Sequence, residues 1–85
     1  MELSKTFTSY TPKQKDIIEE IVKTDIDELQ WTEDPYTKRA YHLDKDGYHF
    51  ELIFYFNNGF INVNADHRMG GGYNDTWNQD GEKIF

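Results

Sequence analysis

Three stretches rich in aromatic and β-branched residues, TKRAYHL (37–43), YHFELIFYF (48–56) and FINVNAD (60–66), are joined by Asp46-Gly47 and Asn58-Gly59. Such a pair between alternating apolar runs is the strongest short-range signal for a β-hairpin, because both residues readily enter the left-handed region that a tight turn demands. Two signals in succession predict an antiparallel β-meander over residues 36–68. Read as two-residue turns, they also predict a register. Phe56 then faces Ile61, Phe54 faces Val63 and Leu52 faces Ala65, while Leu43 faces Phe50 and Tyr41 faces Leu52. Both registers put their apolar residues on one face, and a slip of one residue in either would destroy that agreement.

The same register predicts what the other face displays. One row reads His42, Glu51, Asp66 and the next reads Asp44, His49, Arg68, with Ile53, Tyr55, Phe60 and Asn62 continuing toward the far turn. His42, His49, Glu51 and Asp66 are residue types that bind zinc-like ions. Neighbouring strands lie about 4.8 Å apart and next-nearest residues on one face about 7 Å, so a flat sheet rarely aims four ligands at one point. No metal site is expected. Aligning Gly47 with the glycine of a calcium loop puts His42 at the first ligand and Ile53 where a bidentate glutamate belongs, which excludes that reading.

Chemistry without a metal has one arrangement to offer. A metal-independent nuclease built on this face would use Glu51 as base, His42 or His49 as acid and Arg68 on the phosphate. Its substrate is a polyanion, however, and the chain carries a formal charge of −7 with no basic stripe. The glycine run at 70–72 lacks the Lys-Ser/Thr of a phosphate loop. No serine stands in an elbow context and there is no cysteine to act as nucleophile or thiolate ligand. The sequence predicts a non-enzymatic protein with no cofactor and no direct contact with nucleic acid.

Ahead of the sheet, residues 12–29 carry a helix pattern. Thr11 can cap, Pro12 suits the first helical position, and Gln14 completes a capping box. Ile17, Ile18, Ile21, Val22, Ile26 and Leu29 follow the helical period. Thr24-Asp25 with Glu28 can cap a second short turn, which places the helix end between 24 and 29. A loop at 31–37 holds Pro35, residues 73–85 predict a short hairpin or strand, and residues 1–10 an edge strand or loose arm. The expected fold is a single α+β domain, with one N-terminal amphipathic helix packed on an antiparallel three- to four-stranded meander. With 85 residues there is one core, and 16% aromatics imply that rings fill it. No apolar run approaches the roughly 20 residues of a membrane span and no export signal opens the chain, so a cytoplasmic location is expected.

Charge supplies the functional expectation. Residues 16–34 hold eight carboxylates and one lysine, so this segment carries the whole net −7 while the rest of the chain balances. Like charges so gathered repel one another across a helix surface, and a cationic partner would offset that cost. The expected partner is a basic protein, and the expected contact residues are Asp16, Glu19, Glu20, Asp27, Glu28, Glu33 and Asp34, with Trp31 and Tyr36 as aromatic anchors. Immunity proteins that neutralise toxin nucleases and phage anti-defence proteins share this outline of small size, acidity and mixed α+β structure, although no motif matches a named family. The alternatives are the sheet-face nuclease and an accessory domain whose acids serve solubility alone.

Overall fold

The computed structural model describes residues 6–84. It is an α+β structure in which one helix packs on a single antiparallel sheet. Helix α1 spans Pro12–Val22, a 3-10 turn spans Ile26–Glu28, and the strands are β1 (Thr32–Glu33), β2 (Thr37–Leu43), β3 (Tyr48–Tyr55), β4 (Ile61–His67) and β5 (Gly72–Trp77), in spatial order β1-β2-β3-β4-β5. The expected three to four strands become five through the two-residue β1 and through β5, which follows the glycine run. Beyond Trp77 the chain turns at Asn78, and Lys83 returns to bridge with Trp77. Part of the expected arm or edge strand at 1–10 lies outside the described residues. Residues 6–10 form no strand, and Phe7 donates its amide to the Phe56 carbonyl at 2.9 Å.

The helix begins as its capping residues dictate and stops earlier than its apolar period suggests. Thr11 Oγ1 accepts the Gln14 amide at 3.2 Å and Gln14 Oε1 accepts the Thr11 amide at 2.9 Å, a complete capping box. At the other end Lys23 turns left-handed, with φ 58° and ψ 41°, and its amide closes on Glu19 O. Glu19 then accepts the Ile26 amide at 2.9 Å, and Asp25 caps the 3-10 turn through the Asp27 amide at 3.0 Å. Ile26 therefore reaches the core from a separate turn rather than from the helix. The core itself joins Ile18, Val22 and Ile26 to Phe50, Leu52, Phe54, Phe56, Ile61, Val63, Ala65 and Trp77. Burying a large apolar side chain contributes about 1.5–3 kcal/mol, so this cluster dominates stability in so short a chain.

Register is where the structure corrects the sequence pattern, and the two hairpins differ. Between β3 and β4 the partners are Phe54 with Ile61, Leu52 with Val63 and Phe50 with Ala65, two residues from the expected pairing. The cause is a longer loop, closed by Tyr55 N–H to Phe60 O at 3.0 Å and Gly59 N–H to Tyr55 O at 2.9 Å. A shift of two returns each side chain to its expected face. Between β2 and β3 the shift is one residue. His42 pairs with Phe50, Ala40 with Leu52, Tyr41 with Glu51 and Leu43 with His49. Here Asp44 N–H reaches Tyr48 O at 3.0 Å and Gly47 N–H reaches Asp44 O at 3.3 Å, enclosing residues 45–47. Gly47 stands at φ +94°, which a side chain would strain. Strand β2 is thereby turned over. Ala40 is fully buried under the helix layer, whereas Tyr41 and Leu43, expected in the core, are 65% and 60% exposed on the outer face.

Among the described residues no helix is long and apolar enough to cross a membrane.

Candidate partner-binding surface

The acidic segment is not the back of one helix. Three of its carboxylates, Asp16, Glu19 and Glu20, lie in α1, three more belong to the 3-10 turn and its cap, and Glu33 and Asp34 belong to β1 and the turn after it. The early helix stop spreads the charges over three elements and corrects the expectation of a single crowded ridge.

Several of these carboxylates are occupied. Lys15, one residue before the acidic window, lies 3.0 Å from Asp27 and 3.8 Å from both Glu19 and Asp25. Asp27 also accepts the Tyr10 hydroxyl, and these two hydrogen bonds hold its carboxyl below the usual carboxylate range, the tyrosine bond contributing most. Tyr10 is correspondingly pushed far above the ordinary phenol range, first by burial and then by Asp27. Asp34 accepts the amides of Tyr36 and Thr37, each at 2.7 Å, and the Thr37 hydroxyl at 3.0 Å. Its acidity is raised chiefly by the Tyr36 amide, then by that of Thr37. Glu33 lies opposite Lys38 in the β1–β2 ladder. Glu19 and Asp25 serve as caps, as described above.

Asp16, Glu20 and Glu28 remain. All three are exposed, and among the described residues their carboxylates form no hydrogen bond or ion pair. Asp16 and Glu20 are one helical turn apart and share the side of α1 opposite Gln14, Ile18 and Val22, the residues that it buries.

The two aromatic candidates separate. Trp31 is half-buried against the core, donates Nε1–H to Ile26 O at 2.8 Å, and packs on Tyr10 with ring centres 5.6 Å apart. Lys38 Nζ sits 5.0 Å from the Trp31 ring centre and 4.7 Å from that of Tyr10. Tyr36, in the turn between β1 and β2, is 64% exposed.

The residues considered for the nuclease divide between the two faces of the sheet. His42 lies opposite Phe50 on the helix side of the sheet, while His49 and Glu51 lie on the outer side, so the rows expected from the two-residue turns do not form. Glu51 is engaged by the Tyr41 hydroxyl at 2.9 Å and by Arg39 at 3.5 Å, and the tyrosine is pushed above its ordinary pKa by that carboxylate. Arg68 lies past the end of β4, packed over Gly47. The expected metal-type set divides in the same way, and among the described residues no three His, Asp or Glu side chains gather as a cation site. Elsewhere on the outer face Asn62 donates to Asn74 and Thr76, both at 2.8 Å, a cross-strand network of neutral groups.

Three features escaped the sequence pattern. Lys15 neutralises acids from outside residues 16–34, a contact with Asp25 and Asp27 that only tertiary folding creates. Gln14, fully buried, donates to Gly59 O at 2.8 Å and Asn78 O at 3.0 Å, tying the helix start to the β3–β4 turn and the tail. The exposure of Tyr41 and Leu43 did have a signal. Asp44 and Gly47 are the residues favoured at the first and fourth positions of a type I turn, the basis of a three-residue hairpin loop.

No protein-family model, curated protein or solved structure matches the chain.

Proposed function

We propose that the protein is a non-enzymatic binding protein whose acidic surface occupies a basic surface of another protein, and that in doing so it inhibits a target that handles nucleic acid. The observation that carries this reading is the division of labour among the carboxylates. Asp25, Asp27 and Asp34 cap turns or hold Tyr10, and Glu19 does similar work, whereas Asp16, Glu20 and Glu28 have no structural task among the described residues. Unengaged carboxylates steer a cationic surface into contact and select against anionic ones. Tyr36, exposed at the turn that Asp34 holds at the end of the acidic segment, supplies an amphipathic contact.

The test is affinity capture from the native cell by the wild-type protein and by the variant Asp16→Lys, Glu20→Lys, Glu28→Lys. A basic partner should be retained by the wild type, elute as salt is raised, and be lost with the reversed variant. Retention indifferent to both salt and charge reversal would overturn the proposal. No partner at any ionic strength would leave solubility as the role of these acids.

A further inference from the structure

The sheet has two edges, and they are finished differently. Along β5 the tail returns, with Lys83 bridging Trp77 and the Ile84 amide bonding Thr76 O at 2.8 Å. Along β2 the cover is β1, which pairs only with Lys38 and Arg39. Tyr36 O accepts the Phe56 amide and Asp44 N–H bonds Tyr48 O, so the even-numbered residues of β2 turn their amides toward β3. Thr37 O accepts the Asp34 amide on the opposite side, as the alternation requires. Tyr41 and Leu43 therefore direct N–H and C=O outward, beyond the point where β1 ends. Among the described residues nothing bonds these groups, and no proline or bulge blunts the edge.

Side chains mark the same place. Tyr41 and Leu43 are 65% and 60% exposed, although each is apolar enough for the core. A hollow lies at each end of the gap, one lined by Gln30, Trp31, Thr32 and Tyr41, the other by Lys23, His42, Leu43 and Asp46 among others. The end next to β1 is flanked in the chain by the exposed Glu28. A second copy of this chain carries the same net charge of −7, which opposes self-association.

We propose that this gap is a docking site at which an extended, basic segment of the partner protein adds to β2 as a sixth strand, collinear with β1. Backbone hydrogen bonds to Tyr41 and Leu43 provide the attachment, their side chains favour apolar residues at alternate positions, and a cation near Glu28 sets direction. The cationic character of the segment rests on the function proposed above, whereas the open edge does not.

The probe is a capped peptide of alternating Lys and Val, seven residues long, titrated into the full chain and followed by NMR and amide exchange. The Tyr41 and Leu43 amides should shift, and their exchange should slow by at least about tenfold. Leu43→Pro, which deletes an outward donor and leaves the β3 ladder intact, should abolish the effect while Ala40 and His42 stay protected. Shifts confined to Asp16, Glu20 and Glu28 would overturn the edge and leave the acidic surface standing. Equal binding of a Ser-for-Lys peptide would overturn the basic occupant and weaken the parent reading with it. Protection of the edge by raising protein concentration alone would assign it to a second copy, and an unperturbed spectrum would dismiss the site.

Discussion

The hairpins on either side of β3 carry similar turn signals and reach opposite outcomes. In the β3–β4 hairpin the loop is longer than expected, the register moves by two, and Phe54, Leu52, Ile61 and Val63 all remain in the core. In the β2–β3 hairpin the loop lengthens by a single residue and the strand turns over. Apolar patterning decides the first, because both strands have a run of large side chains that must share a face. Turn chemistry and space decide the second. Asp44 Oδ1 accepts the Asp46 and Tyr48 amides, each at 2.9 Å, and the small Ala40, fully buried opposite Leu52, takes the core-side position that Tyr41 would overfill. Where a strand is only weakly patterned, its turn can choose its faces.

Truncation should show the contrast most strongly. Phe54→Ala should cost about 3–5 kcal/mol, enough to unfold much of the population of so small a domain, whereas Leu43→Ala should stay within about 0.5 kcal/mol. Urea unfolding of both variants measures the difference, and similar losses would restore the two-residue register. Enlarging the other side of β2 gives a smaller effect. Ala40→Leu should cost about 1–3 kcal/mol by overpacking, a penalty that an outward-facing residue 40 would not incur. The smallest effect is on pH dependence. The amide of Tyr48 above all, and those of Asp46 and Gly47 after burial's opposing push, hold Asp44 below the usual carboxylate range. A lowered folded-state pKa contributes stability that is present above the unfolded value, about 3.9, and is lost as pH falls through the folded one. Asp44→Asn should flatten the acid limb of the stability profile, as read from urea unfolding at a series of pH values.

The acidic segment repeats this lesson at the level of function. Its composition was plain in the chain, but the helix stop at Val22 divided it, Lys15 entered from outside, and Asp34 and Asp25 were taken up as caps. What was legible was the amount of charge. Which carboxylates are unengaged was not, because hydrogen-bond partners several residues or a whole strand away depend on how the elements pack. Trp31 shows the same for an aromatic residue, since its indole N–H finds Ile26 O only when the 3-10 turn folds beneath it.

By itself the sequence determined the class of the fold, the start of the helix and the faces of β3 and β4. Those features rest on local chemistry, such as the Thr11–Gln14 box, and on apolar alternation strong enough to tolerate an error in loop length. Tertiary structure alone decided the outward turn of Tyr41 and Leu43, the end of α1 and which carboxylates of the acidic segment lack a partner among the described residues. Each of these is a choice between alternatives of similar local energy, and packing against the rest of the chain supplies the difference.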